Sequence, residues 1–310
     1  MRVYRRLPSS ADTPIALTIG NFDGIHRGHQ AMLSRLIEAA DDLALPPAVL
    51  TFDPPPREFF ARESAPPRLS SLRAKLERFA AHGVARTYVA RFDGRLAALP
   101  PEPFIEDVLV RRLGARWLLV GEDFRFGKGR AGDLSTLRRV ARTVSIEAMR
   151  TVAVDGERAS STAVRAALAT GNIAHAQALL GRAFVISGRV AHGAKLGRTL
   201  GFPTANIRLE RKPPLAGVYA VRVHGLGGAA RAGVASIGVR PTVSASGVPL
   251  LEVFIFDFDE TIYSRRVGVE FLHKLRDEER YGDLAALTRQ IEHDVAQAQE
   301  FFSGHCATAR

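Results

Sequence analysis

The stretch Gly20-Asn21-Phe22-Asp23-Gly24-Ile25-His26-Arg27-Gly28-His29 lies where a buried strand turns into a helix, and it restricts the fold more than any other part of the chain. Upstream, Pro14-Ile15-Ala16-Leu17-Thr18-Ile19 is a short apolar run with β-branched residues, the signature of a buried strand. Downstream, Met32, Leu33, Leu36, Ile37 and Ala40 recur at helical spacing, so a helix is expected to begin near Gly28. The first backbone N–H groups of a helix lack partners within it and form a natural anion site. Two histidines three residues apart, with a glycine between them, bring imidazoles and bare backbone to that site. The combination suits a nucleoside triphosphate whose α-phosphorus is attacked.

A chain of 310 residues is long enough for two domains. It contains no run of ~18 apolar residues that could cross a bilayer. The basic start Met1-Arg2-Val3-Tyr4-Arg5-Arg6 leads into Pro8-Ser9-Ser10 and does not read as a secretory signal. Cys306 is the sole cysteine, which excludes an internal disulfide and a cysteine metal cage and fits a reducing compartment. A cytoplasmic protein with no membrane partner is therefore expected. The formal net charge of +11 fits a nucleic-acid surface or a pocket for polyanionic small molecules such as ATP. Many arginines, among them Arg111, Arg112, Arg138, Arg139 and Arg142, fall on helices where a solvated face is the ordinary role. No stripe of interleaved basic and aromatic residues is found, so small-molecule substrates are expected and nucleic acid is not. Homo-oligomerisation is left open.

Residues 14–182 alternate apolar runs with amphipathic helices. Strands are expected at Ile15–Ile19, Ala48–Phe52, Thr87–Phe92, Trp117–Val120 and Ser145–Met149, with helical stripes at Leu72, Leu76 and Phe79 and at Phe104, Val108, Val110 and Leu113. This pattern predicts an α/β, Rossmann-like parallel sheet with helices on both faces, binding its ligand beyond the carboxyl ends of the strands. After Gly181 the texture changes to short strands punctuated by glycine and proline: Val185–Val190, Gly217–Val223, Gly233–Val239, Leu251–Phe256 and Arg266–Phe271. They predict a small antiparallel barrel or sandwich. Leu284, Leu287, Ile291, Val295 and Phe302 mark a C-terminal helix with Asp283 as its N-cap, and the tail from Ser303 reads as frayed. The expected domains are residues 1–182 and 183–310.

Four segments of the first half carry a family resemblance: Gly20 to Gln30, Thr51-Phe52-Asp53-Pro54, Gly121-Glu122-Asp123-Phe124-Arg125-Phe126-Gly127, and Ser160-Ser161-Thr162-Ala163-Val164-Arg165. In this order they resemble the nucleotide-binding half of prokaryotic bifunctional riboflavin kinase/FAD synthetases. The resemblance implies adenylyl transfer from ATP, a reaction carried by positioning and charge stabilisation. It implies catalytic roles for His26 and His29, and nucleotide contacts from Gly20, Asn21, Phe22, Asp23, Gly24, Gly28, Asp123, Arg125, Ser161, Thr162 and Arg165. Taken singly, a His-x-x-His pair is more often a local structural pair, and Ser160-Ser161-Thr162 is most often a helix cap. One departure stands out. Where the family commonly has a histidine after Thr-Phe-(Asp/Glu)-Pro, this chain has Pro55, which bears on the rate of FAD formation rather than on the reaction.

The second half resembles the riboflavin kinase module of the same family. The matching segments are Ser187 to Gly193, Leu196 to Asn206, Gly217-Val218-Tyr219-Ala220, Ser236 to Thr242 and Leu251-Glu252-Val253. The match implies that Gly193, Lys195, Gly197 and Arg198 surround ATP phosphates and that Thr204 and Asn206 offer oxygen ligands to Mg²⁺. Their spacing of two puts both on one side of an extended segment. The match also implies that Glu252 is the general base for the riboflavin 5′-hydroxyl. Arg240 and Arg276 fit flavin or phosphate contacts, or equally solvated arginines. Ser236 replaces a usual asparagine, and Phe254 stands where a histidine is common. Asp257-Phe258-Asp259-Glu260 reads as a solvated hairpin end. The implied sum is riboflavin + ATP → FMN + ADP, then FMN + ATP → FAD + pyrophosphate.

Overall fold

The computed structural model describes residues 1–193, 197, 200–238 and 249–306, with side chains to Gly304. It separates into two compact units, one of residues 1–66 and 70–160, the other of 67–69 and 161–310.

The first unit is built on six parallel strands: β1 (Arg2–Tyr4), β2 (Ile15–Ile19), β3 (Pro47–Phe52), β4 (Arg86–Ala90), β5 (Ala115–Gly121) and β6 (Ser145–Met149), in the order β1-β4-β3-β2-β5-β6. Along β2, Ile15, Leu17 and Ile19 join the core on one face, against the helix Phe104–Arg112. Ala16 joins the other, against Leu33, Leu36, Ala39 and Ala40 of the helix Arg27–Asp42. Both faces are covered, which is why β2 is apolar almost throughout rather than alternating. The helix Phe104–Arg112 is wound wide, its exit marked by the Leu113 amide donating to the Val108 carbonyl five residues back, at 3.1 Å. The chain runs outward from β2 through β3 to β4, then returns to the other side of β2 with β5. That reversal makes the β2/β5 boundary the topological switch point, beyond whose carboxyl ends such sheets bind ligands. The Gly20–His29 loop leaves β2 there, and the Glu122–Gly127 loop leaves β5. A short hairpin, β7 (Ala153–Val154) and β8 (Glu157–Arg158), follows β6.

In the second unit the helices Ser161–Ala169 and Ile173–Leu180 precede a closed six-stranded barrel. Its strands are β9 (Phe184–Ala191), β10 (Thr204–Arg208), β11 (Gly217–His224), β12 (Arg231–Gly238), β13 (Leu250–Ile255) and β14 (Arg266–Arg276), ordered β10-β13-β12-β11-β14-β9 with antiparallel pairing throughout. Tyr219, Phe271, Leu251, Val253 and Ile207 are buried at 0–1% exposure, with Tyr219 and Phe271 meeting edge to face at 5.3 Å between centroids. The helix Leu284–Cys306 covers the outside of β11 and β12, where Ala298, Val295, Phe301 and Phe302 meet Val218, Ala220 and Val234. Asp283 caps it, accepting from the Ala286 amide at 2.7 Å. The helix continues through Ser303 to Cys306 rather than fraying at Ser303, while Leu284 at its start is 56% exposed and leaves the apolar stripe. Packing groups residues 161–180 with the barrel rather than with the parallel sheet. A Cβ on Gly171, at φ +77°, would come within 2.2 Å of the Lys274 side chain on β14, so the backbone there lies directly on the barrel.

Candidate active sites

His26 occupies the N-cap of the helix Arg27–Asp42, and His29 lies in its first turn. Their rings stack with centroids 3.8 Å apart, and Phe22 packs on His29 at 4.9 Å. Gly28 makes the stack sterically accessible: a Cβ there would lie 3.2 Å from the His26 ring and 3.3 Å from the Ala159 carbonyl oxygen. The loop before the helix is strained. Phe22 (φ 49°), Gly24 (φ 80°) and Ile25 (φ 42°) all take left-handed backbone, a conformation costing non-glycine residues on the order of 1–3 kcal/mol each. Phe22 and Ile25 hold it because their side chains are buried in the core. Burial, the neighbouring His26 and the Lys75 ammonium together keep the His29 imidazole well below the usual histidine range, so the ring is neutral near pH 7. Its Nδ1 is buried without a hydrogen-bond partner among the described residues, a polar atom aimed at nothing the protein itself supplies.

Around this loop, Asp23 accepts from the Ser70 amide (3.1 Å) and hydroxyl (3.2 Å), and the Gly24 amide donates to the Ser70 hydroxyl (3.0 Å). Asp123 lies on the β5 loop with Arg158 donating to it at 2.7 Å, and Arg125 donates to Asp133 at 3.2 Å. Gly20 follows β2 with the Phe22 ring 3.1 Å from where its Cβ would be. Pro55 stands at the start of the short helix Pro56–Phe60. That helix carries a feature missed in the sequence: Phe59 (40% exposed) and Phe60 (67% exposed) form edge contacts with Phe92, which also meets Phe52. Rings left this exposed although they have a packed base form an apolar patch beyond the carboxyl ends of β3 and β4. In the second unit, Ser161 and Thr162 begin the helix Ser161–Ala169, and Arg165 one turn on donates to the Pro67 carbonyl (2.7 Å) and the Ser161 carbonyl (3.1 Å).

On the barrel, strand register decides which side chains share a face. Glu252 on β13 lies directly opposite Asn206 on β10 and opposite Ser236 on β12. Since Leu251 and Val253 point inward, Asn206, Glu252 and Ser236 form a row on the outer face, with Thr204 opposite Phe254 one step along it. Asn206 is nevertheless only 6% exposed. Gly193 covers it so closely that a Cβ would stand 2.5 Å from its amide group. The Asn206 Nδ2 donates to the Thr204 carbonyl at 3.0 Å, while its Oδ1 is buried without a hydrogen-bond partner among the described residues. An amide oxygen and a threonine hydroxyl on one face suit a hard divalent cation, which takes oxygen ligands. Phe254 meets Phe202 edge to face at 5.4 Å and so packs on the Phe-Pro-Thr turn. Ser236 donates to Glu278 at 3.3 Å, bringing a second carboxylate that nothing in the sequence announced.

Arg276 is held by partners within the second unit. Its Nε and Nη2 donate to the two oxygens of Asp294 at 2.7 Å each and its Nη1 to the Asp277 carbonyl at 2.9 Å, so the guanidinium ties β14 to the C-terminal helix. Gly197 is described. Lys195, Arg198 and Arg240 lie outside the described residues. Asp257, Asp259 and Glu260 are exposed in the loop between β13 and β14, as expected of a solvated hairpin end.

A family model for FAD synthetase matches residues 9–163 and one for riboflavin kinase matches residues 180–302. The bifunctional riboflavin kinase/FMN adenylyltransferase of Escherichia coli (strain K12) is 46% identical over 308 residues, covering 97% of this chain and 98% of that one. Its counterpart in Pseudomonas fluorescens is 48% identical over 285 residues, 91% of each chain. Among solved structures, a Streptococcus pneumoniae protein described as a macrolide-efflux protein superposes with a TM-score of 0.80 at 28% identity, covering 95% of this chain and 97% of that one. Among the described residues, no helix is long and apolar enough to cross a membrane. With an FAD synthetase half followed by a riboflavin kinase half, the chain belongs to the bifunctional riboflavin kinase/FMN adenylyltransferase family.

Proposed function

We propose that this chain phosphorylates riboflavin to FMN with one ATP and adenylylates FMN to FAD with a second, releasing pyrophosphate. The observation that carries the reading is the outward row of the barrel, where Glu252 stands beside Asn206, whose buried Oδ1 awaits an electrophile. A kinase needs a general base and a cation ligand within one site, and a carboxylate directly opposite an amide oxygen supports that reading.

In the first step Glu252 takes the proton of the riboflavin 5′-hydroxyl as its oxygen attacks the γ-phosphorus of ATP, and ADP leaves. Thr204 and Asn206 would hold Mg²⁺, which when bound offsets the negative charge of the ATP phosphates. Gly193, Lys195, Gly197 and Arg198 surround those phosphates by the sequence match. In the second step a phosphate oxygen of FMN attacks the α-phosphorus of ATP, and the bond to the bridging oxygen of the β-phosphate breaks. His29 donates its one N–H to the phosphates from a neutral ring, and His26, stacked on it, offers a further ring N–H. The loop Gly20–Gly24 and Gly28 brings backbone close to the nucleotide, Asp123 and Arg125 stand on the neighbouring β5 loop, and the sequence match adds Ser161, Thr162 and Arg165. The exposed Phe59 and Phe60, packed on the half-buried Phe92, offer ring faces and edges to the isoalloxazine of FMN.

The functional boundary falls between residues 182 and 183, although packing divides the chain at 160/161. The partners are the small molecules riboflavin, FMN and ATP rather than nucleic acid or membrane, the compartment is the cytoplasm, and self-association is left to measurement. Purified protein incubated with riboflavin, ATP and Mg²⁺, with flavins resolved by chromatography over time, tests the reading. FMN followed by FAD is expected. FMN without FAD would remove the adenylylation half of the proposal, and unchanged riboflavin would remove its kinase half.

A further inference from the structure

The helix Leu72–Ala81 buries two residues, Lys75 and Phe79, on the face turned toward the Gly20–His29 loop. Phe79, fully buried, meets Phe22 edge to face at 5.2 Å, and Phe22 in turn packs on His29. Four residues earlier, one turn away, Lys75 is only 4% exposed, and its ammonium donates to the Asn21 carbonyl. Just before the helix, Ser70 binds both Asp23 and Gly24. Every residue from Asn21 to Gly24 is thus touched by the segment 70–79, in the stretch where Phe22 and Gly24 take left-handed backbone. Burying an ammonium is costly and is repaid only by polar partners placed to receive it. An amphipathic surface helix would ordinarily put lysine in water. Burial of Lys75 against a loop carbonyl marks a function in that loop.

We propose that Lys75, supported by Ser70 and Phe79, is a positioning residue for adenylyl transfer: its buried ammonium fixes the Asn21 carbonyl and so presets the loop that presents His26 and His29 to the nucleotide. Lys75 touches the loop and not the reacting atoms. Its loss lets the loop relax from its strained shape, so that fewer molecules hold the histidines correctly at any moment. The proposal rests on the adenylyltransferase reading of this half, and a KM for FMN within twofold of the parent reports that this half remains folded, while the kinase activity reports on the other half.

The test compares the full chain with Lys75→Met, Ser70→Ala and the double variant, supplied with FMN, ATP and Mg²⁺. Lys75→Met is expected to lower the kcat of FAD formation tenfold or more while KM for FMN stays within twofold and riboflavin phosphorylation is unchanged. Ser70→Ala is expected to lower the same kcat severalfold. Because both residues hold one loop, the double variant is expected to lose less than the product of the single losses. A kcat for Lys75→Met within twofold of the parent would overturn the proposal. So would a loss shared equally by the kinase activity, or strictly multiplicative losses in the double variant. If the parent itself forms no FAD, it is the adenylyltransferase reading that fails.

Discussion

Glu252 has Asn206 on one side and Ser236 on the other, and of the three only its carboxylate can accept a proton from an alcohol. Glu252→Gln keeps the shape and removes the proposed base. It is expected to slow FMN formation by about 10²–10⁴-fold, the usual worth of general-base catalysis, while leaving adenylylation of supplied FMN intact. Initial rates with each flavin check this. His29 makes a different prediction, about stability. Its pKa is depressed in the folded state, so above the unfolded value of about 6.5 the ring is neutral in both states and the fold bears no penalty. Below that pH the unfolded chain takes a proton that the buried ring refuses, and stability falls as pH drops toward the folded value. Thermal unfolding followed from pH 7.5 to 5 should show this slope, and His29→Gln should flatten it. A slope unchanged by the substitution would reject the assignment. These residues were legible in the sequence because their types and spacings are local. The buried Oδ1 of Asn206 was not, since a polar side chain on the outside of a barrel is covered only because Gly193, thirteen residues earlier, folds over it.

At the scale of elements, the C-terminal helix is pinned by the bidentate pair of Arg276 with Asp294, whose carboxylate side chain is 4% exposed. Asp294→Ala strands the guanidinium and is expected to cost about 2–3 kcal/mol, below the ~3–5 of a dry pair because Arg276 keeps 19% of its side chain in water. Denaturant unfolding measures it. Periodicity alone placed most strands and helices within a residue or two. It missed β1, three mostly exposed residues at a sheet edge, and β10, whose Thr-Ala-Asn-Ile-Arg has too little apolar character to announce a strand. It could not foresee the pairing of Arg276 with Asp294, because a partner eighteen residues away on another element leaves no local mark. The exposed Phe59 and Phe60 likewise looked like part of an irregular proline-rich loop until the fold brought Phe52 and Phe92 beneath them. Phe60→Ala is expected to raise KM for FMN in adenylylation severalfold, the worth of one aromatic contact of roughly 1 kcal/mol, without changing KM for riboflavin in phosphorylation. Equal changes in both constants would contradict a flavin role confined to the first half.

For the molecule as a whole, two separate groups of residues are proposed to carry the two chemistries: a histidine pair at the switch point of a parallel sheet, and a carboxylate–amide row on the outside of a barrel. FMN is the product of one and the substrate of the other. If the groups act independently, a chain disabled in one should still supply the other. The most direct measurement mixes His29→Ala with Glu252→Gln and gives them riboflavin, ATP and Mg²⁺. Alone, His29→Ala should stop at FMN, and Glu252→Gln should leave riboflavin largely unchanged while converting supplied FMN to FAD. The mixture should carry riboflavin through to FAD. Failure of the mixture to form FAD, with each variant folded, or loss of both activities from either substitution, would contradict the assignment of two independent sites to one chain.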